Sequence, residues 1–191
     1  MYFKKMIGNL CYLSPCVEED ATKWAVWFND TETTMLLGDE VYRPTSPEVE
    51  RESILKILKN HYHFFEIVDK QTDEAIGRTI LFDINHIDQR AMVGIVIGEK
   101  KYWGKGYGQD ALKLILDYGF NILNLNNIML GTFEFNQRAI SSYKKIGFKE
   151  IGRRRQGRII AGKKYDVIFM DILADEFEKM YIHSILKKYD N

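Results

Sequence analysis

The stretch that most constrains this chain is a glycine-rich turn set between a strand and a helix. Residues 91–97 place Val93, Ile95 and Ile97 on one face and Gly94 and Val96 on the other, the pattern of a central strand buried on both sides. Gly98-Glu99-Lys100-Lys101-Tyr102-Trp103-Gly104-Lys105-Gly106-Tyr107-Gly108 follows. From 108 to 123, Ala111, Leu112, Ile115, Leu116 and Phe120 form the stripe of an amphipathic helix. Residues 128–135 read as a strand again, so the segment predicts a strand–helix–strand crossover. Glycines at 104, 106 and 108 let backbone approach a ligand closely, and the unpaired N–H groups and dipole of a helix start favour an anion there. A tight strand-to-helix turn needs such glycines for structural reasons alone, so the loop by itself leaves both readings open. Two ligand classes are excluded by spacing: the pattern is not G-x-G-x-x-G, and Lys105 precedes Gly106 rather than the Ser or Thr of a P-loop.

Composition narrows the class. A chain of 191 residues predicts a single domain, 1–191, with one core. A hydrophobic share of 46% with only 3 prolines excludes a disordered or collagen-like chain. Lys plus Arg equals Asp plus Glu at 27 each, which leaves no net field to hold nucleic acid or an anionic membrane. Two local basic clusters remain, Lys100, Lys101 and Lys105, and Arg153, Arg154, Arg155 and Arg158. Cys11 and Cys16 do not form a C-x-x-C pair and have no histidines at zinc spacing, which predicts free thiols and no metal. Residues 1–5 carry no apolar leader core, and no run reaches the roughly 18 apolar residues of a membrane span, so the expected location is cytoplasmic.

Elsewhere, residues 6–13 read as a first strand and 18–28 as a helix with Trp24, Trp27 and Phe28 on its apolar stripe. Residues 29–45 form a polar connection. Ser46-Pro47 opens a second helix as N-cap and first-turn proline. Residues 64–68 and 75–82 predict a β-hairpin, and 148–153 and 165–172 a late strand pair across a turn at 157–164. A final helix spans 175–188.

The second informative segment is Asn136-Gln137-Arg138-Ala139-Ile140-Ser141-Ser142-Tyr143-Lys144-Lys145-Ile146-Gly147-Phe148. Asn136 fits a helix N-cap and Gly147 its C′ residue, while Tyr143, two turns in, is either a core aromatic or a hydroxyl presented to a cleft. Together with the glycine turn, this segment closely resembles the Gcn5-related N-acetyltransferase (GNAT) family, in particular its branch of ribosomal-protein, spermidine and aminosugar acetyltransferases. The resemblance covers almost the whole chain and is weakest over 29–63. It implies an α/β (α+β) fold, a mixed, mostly antiparallel sheet of about seven strands flanked by helices.

In that family the strand equivalent to 93–97 holds the pantetheine of acetyl-CoA through main-chain groups near Ile95, Val96 and Ile97. The loop Trp103, Gly104, Lys105, Gly106, Tyr107 and Gly108 then holds the pyrophosphate, with Trp103 standing where Gln or Arg is usual, a departure shared by the Tyr-Trp-Gly-Lys-Gly-Tyr branch. The family's Asn, small residue, Tyr and Gly-Phe fall on Asn136, Ala139, Tyr143 and Gly147-Phe148. The resemblance implies that Tyr143 protonates the departing thiolate. A phenol of ordinary pKa near 10 lies close enough to a thiol near 8.5 for that step.

The acceptor amine must also lose a proton. Glu134 is the first candidate base, with Asp83, Glu99 or a water chain as alternatives, and the Val96 N–H is a candidate oxyanion donor. The arginines at 153–158 suit a phosphate-bearing aminosugar, whereas carboxylates such as Glu66, Asp83 and Asp88 suit a polyamine. The expected function is direct transfer of acetyl from acetyl-CoA to a small primary amine. The alternatives are an N-terminal protein acetyltransferase of the ribosomal type and a non-catalytic acyl-CoA-binding module. A homodimer through the late strands or terminal helix is compatible with the chain.

Overall fold

The chain opens on a hairpin where its sequence predicts a single strand. In the computed structural model, which describes residues 1–178 and 181–189, β1 (Met6–Ile7) and β2 (Cys11–Ser14) pair antiparallel with Met6 opposite Leu13. One distant carboxylate makes the turn. Asp110 accepts the N–H groups of Asn9 at 3.1 Å, Leu10 at 2.8 Å and Cys11 at 3.0 Å. Gly8 lies so close to that carboxylate that a Cβ would come within 2.4 Å of Oδ2.

The elements that follow are α1 (Ala21–Asn29), α2 (Thr31–Thr34), α3 (Pro47–Lys59), β3 (Phe64–Asp69), β4 (Ala75–Asn85), β5 (Arg90–Ile97), α4 (Tyr107–Asn121), β6 (Asn127–Phe133), α5 (Gln137–Ile146), β7 (Lys149–Ile160), β8 (Lys163–Leu173) and α6 (Tyr181–Leu186). The strands form one mostly antiparallel sheet in the order β1-β2-β3-β4-β5-β6-β8-β7, with β5 and β6 parallel. There are eight strands among the described residues, not about seven, because the first divides in two. The chain divides into two compact units, Met1–Leu81 with Gly94–Ile115, and Phe82–Val93 with Leu116–Asn191.

In the first unit Trp24, Trp27 and Phe28 of α1 bury against Ile54 of α3, with Tyr2, Phe64 and Val96 packed on them. Each such side chain contributes about 1.5–3 kcal/mol on burial. Ser46 caps α3 through its Oγ, which accepts the Val49 N–H at 3.4 Å, and Pro47 takes the first turn as predicted. The predicted connection at 29–45 contains α2, capped by Asp30, and a 3-10 turn at Asp39–Tyr42. β5 is central in the sheet order, yet only Ala91 and Val93 are fully buried, and Gly94, Ile95, Val96 and Ile97 are half-buried. Its register with β6 covers Arg90–Met92 against Asn127–Met129 and stops there, although the strands run on to Ile97 and Phe133.

In the second unit β6 pairs with β8 over its whole length, from Asn127 opposite Leu173 to Phe133 opposite Val167. The late strands outrun their predicted bounds. Their turn is the pair Ala161-Gly162, with φ of 48° and 75°, the left-handed pair a two-residue hairpin requires. Gly157, predicted in the turn, instead lies in a bulge of β7 between Arg154 and Arg158, where Gln156 at φ 53° gives its N–H to Asp166 Oδ1 at 2.9 Å. The predicted helix at 175–188 is replaced by a 3-10 turn at Ala174–Glu176 and the short α6, with residues 179 and 180 of that prediction outside the described set. The buried Asp117 accepts the Ile182 N–H at 2.9 Å. Among the described residues no helix is long and apolar enough to cross a membrane.

Asp110→Ala removes the acceptor of three main-chain N–H groups, and a buried orphaned donor costs about 1–3 kcal/mol. With water reaching part of the turn, the expected net loss is about 3 kcal/mol, read as a lower urea midpoint at unchanged slope. An unchanged midpoint would show that the carboxylate does not hold the hairpin.

Candidate functional site

The first unit supplies a turn suited to an anion. β5 ends at Ile97, and Gly98 follows where a Cβ would lie 2.1 Å from the Trp27 ring. The Trp27 indole N–H donates to Glu99 Oε1 at 2.9 Å, pinning this corner to α1. Gly104 and Gly106 take φ of 73° and 90°, the left-handed region that glycine enters without strain, and α4 begins at Tyr107. Gly104, Lys105 and Gly106 are exposed, so the main chain entering the 15-residue α4 stands open where N–H groups and dipole favour negative charge.

Side chains around the turn have distinct duties. The Trp103 indole, at the position where Gln or Arg is usual in the family, folds back and donates to the Ile97 carbonyl at 2.6 Å. On β5 the Thr79 hydroxyl donates to the Gly94 carbonyl at 2.9 Å, and Gly77 passes so near the Val96 carbonyl that a Cβ would come within 2.2 Å. Lys100 lies 2.6 Å from Asp30 Oδ2 and 2.5 Å from Glu32 Oε2, and Lys101 3.7 Å from Glu74. Lys105 has no such partner among the described residues, which makes it the cation of this cluster available to a phosphate. The Tyr107 hydroxyl donates to Asp69 Oδ1 at 3.0 Å, and desolvation followed by this bond pushes its pKa up to about 12.

The second unit supplies the other residues. Beyond β6, the Glu134 N–H donates to the Asp166 carbonyl at 3.0 Å, and the Asp166 N–H donates to Glu134 Oε1 at 2.9 Å. Strand pairing by β6 ends at Phe133, earlier than predicted, because the chain turns there toward Asn136. Asn136 is buried and caps α5, its Oδ1 accepting the Ala139 N–H at 3.2 Å. Gly147 ends the helix at φ 119°, and the Tyr143 carbonyl accepts the N–H groups of Gly147 at 3.2 Å and Phe148 at 3.1 Å. Tyr143 is half-buried with its ring 5.9 Å from that of Phe148, and its hydroxyl has no hydrogen-bond partner among the described residues. Desolvation pushes its pKa up to about 12.

The structure thus joins Trp103 to Ile97, and Asn136 to Ala139, while Glu134 is bonded to β8 rather than to Tyr143. The other carboxylates weighed from sequence are engaged. Glu99 is held by Trp27, and Asp83 lies 3.1 Å and Asp88 3.8 Å from Arg90. Glu66 is wholly buried in the first unit, accepts the Trp24 indole N–H at 2.8 Å, and is pushed up to about 8 by burial and by Asp20. Arg78 completes that core, its guanidinium 3.8 Å from the Phe28 ring centre and 4.3 Å from that of Trp24. In the basic hairpin Arg153 bonds Glu150 at 2.6 Å, and Arg158 is buried with its guanidinium 4.7 Å from the Phe133 ring centre. Sequence reasoning passed over Asp69 and Asp110, whose links to Tyr102, Tyr107 and the opening hairpin span 33 to 101 residues, beyond the reach of any local pattern. Among the described residues no group of three or more His, Cys, Asp or Glu side chains is arranged to hold a metal ion.

Residues 11–149 match the model of the acetyltransferase (GNAT) domain. The chain belongs to the GNAT acetyltransferase family. It is an acyltransferase, an N-acetyltransferase by family. It is 29% identical over 163 residues to "Uncharacterized N-acetyltransferase p20" of Bacillus licheniformis, covering 83% of this chain and 90% of that protein. Over 104 residues it is 36% identical to the spermidine N(1)-acetyltransferase of Escherichia coli K12, 54% of this chain and 55% of that one. Among solved structures, the spermidine N-acetyltransferase of Vibrio cholerae in complex with CoA and spermine superposes with a TM-score of 0.78 at 28% identity, covering 87% of this chain and 97% of that one.

Glu66 gives the site's surroundings a pH signature. A carboxyl raised from its ordinary value near 4.3 to about 8 favours the fold while neutral, so its contribution is complete below about pH 4 and lost as pH rises through 8. Glu66→Gln stays neutral throughout. Between pH 5 and 8.5 the urea midpoint of the wild type is expected to fall relative to that of the variant, and parallel midpoints would refute the buried neutral acid.

Proposed function

We propose that this GNAT enzyme transfers the acetyl group of acetyl-CoA to a primary amine of a polyamine, in a ternary complex and within a single domain, 1–191. The observation that carries this reading is the likeness to two spermidine N-acetyltransferases, one of them in complex with CoA and spermine. The side chains are consistent with a cationic acceptor. Glu134 and Asp166 are neighbours through two hydrogen bonds; Glu134 Oε1 accepts the Asp166 N–H and Asp166 Oδ1 the Gln156 N–H, which leaves the second oxygen of each carboxylate for an ammonium group. The arginine run that would favour a phosphate-bearing aminosugar is thinned, since Arg153 is paired with Glu150 and Arg158 is buried.

In this reading the turn 103–108, exposed at 104–106, and Lys105 hold the pyrophosphate, and main-chain groups of Ile95, Val96 and Ile97 align pantetheine. Trp103 braces the strand end through the Ile97 carbonyl, leaving Ile95 and Val96 the larger share of that contact. Asn136 and Ala139 fix the start of α5, and so the bearing of Tyr143. Glu134, or water bound to it, takes the ammonium proton; the free amine attacks the thioester carbon and the N–C bond forms. The Val96 N–H stabilises the oxyanion, the C–S bond breaks, Tyr143 gives its proton to the sulfur, and the second proton lost by the acylated nitrogen passes through water to restore the Tyr143 phenol.

A phenol at about 12 is fully protonated at neutral pH and ready to donate. It is a weak acid toward a thiolate of ordinary pKa near 8.5. Burial raises thiols as well, as it does Cys11 and Cys16 here, so a thiolate leaving in a desolvated site is matched upward with its donor.

Release of the CoA thiol from acetyl-CoA, measured against spermidine, spermine, aminosugar nucleotides and N-terminal peptides, tests the acceptor. A polyamine is expected to lead in kcat/KM by tenfold or more, and a leading peptide or aminosugar would overturn the choice. Tyr143→Phe is expected to lower kcat by about ten- to a thousandfold with CoA affinity nearly unchanged. The wild type should show no loss of kcat from Tyr143 ionisation below pH 10, and an unaltered kcat in the variant would remove the residue from the mechanism.

A further inference from the structure

We infer that Asp69 is a positioning residue for the glycine turn, its carboxylate presetting the main chain of residues 103–108 for the CoA pyrophosphate; the inference rests on the acetyl-CoA reading above. The turn has little to hold it from within. Trp103 is tied to the Ile97 carbonyl, but beyond it a Cβ at Gly104 would meet nothing within 4 Å and one at Gly106 only Leu10, so side-chain packing does not define the path of 104–106. Its two ends are fixed instead. Tyr102 and Tyr107 bracket 103–106, and both hydroxyls donate to one buried carboxylate, Tyr102 to Asp69 Oδ2 at 3.2 Å and Tyr107 to Oδ1 at 3.0 Å. The two rings meet edge-on with centres 4.8 Å apart, which fixes the span between the ends.

Asp69 is itself held. It closes β3 opposite Cys11 of β2, its N–H donates to the Glu74 carbonyl at 2.9 Å, and its carboxylate also accepts the Thr72 hydroxyl at 2.9 Å and the Gln71 N–H at 3.3 Å. Burial alone would raise this carboxyl, yet the four donated bonds keep it below the ordinary carboxylate range. A rigid hairpin end therefore reaches 33 and 38 residues along the chain to fix a turn that glycine would otherwise leave free. Pre-ordering of this kind spares a ligand the entropy of arranging the amides when it binds.

The test is calorimetric CoA affinity of folded variants, with amide hydrogen exchange at 103–108. Asp69→Ala is expected to weaken CoA binding by tenfold or more and to speed exchange in that segment. Asp69→Asn, which keeps the shape and an acceptor for Tyr107, should recover affinity to within about threefold of the wild type. The double variant Tyr102→Phe with Tyr107→Phe, which leaves Asp69 its bonds to Thr72 and Gln71, should weaken binding as Asp69→Ala does, and it decides the matter if Asp69→Ala does not fold. Ile67→Ala, a buried change on the same strand, should lower the melting temperature and keep CoA affinity, separating positioning from general loss of stability. Wild-type affinity in Asp69→Ala or the tyrosine pair, with binding lost in Gly106→Val, would overturn the role of Asp69 and leave the phosphate turn standing. Wild-type affinity in Gly106→Val as well would overturn the turn itself.

Discussion

A glycine turn that has to present its backbone must be held from outside, and much of the first unit is built to do that. Each residue fixed there gives up roughly 1–2 kcal/mol of backbone freedom, more for glycine, and the exposed residues 104–106 recover little of it locally. Three attachments meet the need. Asp69 takes the tyrosines at either end, Trp27 grips Glu99 and the Gly98 corner, and Asp110, in the first turn of α4, reaches back to gather the amides of the opening hairpin. The N-terminal residues are thus part of the same construction, since Leu10 of that hairpin is the neighbour of Gly106.

The same unit buries charge in its core. Arg78 lies over the rings of Trp24, Phe28 and Phe64, and Glu66, bonded by the Trp24 indole, is held neutral by burial and by Asp20. A carboxyl so placed shapes the core rather than meeting an acceptor at the surface. In the second unit desolvation acts on a different group: it keeps Tyr143 protonated, and would lift a leaving thiolate in the same direction. Both effects follow from removing ionisable groups from water.

Much of the architecture is legible along the chain because its signals are local. Ser46-Pro47 marks the start of α3, Asn136 and Gly147 bracket α5, and the apolar stripe of α4 between two strands states the crossover. Where local signals mislead, a distant partner or an unexpected conformation explains it. The first strand divides because Asp110, about a hundred residues away, captures the amides between its halves. Gly157 resembles a turn residue, yet the bulge at 155–157 exists because Asp166 accepts the Gln156 N–H, and the turn falls at Ala161-Gly162. Gly94 to Ile97 are half-buried although their alternation reads as a strand buried on both sides, which no pattern of neighbouring residues announces.

The sequence by itself determined the crossover, the glycine turn between its strand and helix, and the caps of α3 and α5, because periodicity, capping and glycine's freedom are properties of neighbouring residues, and the resemblance of its motifs pointed to the GNAT family. Only the tertiary structure decided which charges are available. Lys100 is bound by Asp30 and Glu32 while Lys105 stands clear, Glu66 and Arg158 are internal, and Glu134 is tied to β8. The physical reason is that a charged side chain's role is set by what desolvates it and what pairs with it, and here those partners come from strands and turns far away in the chain.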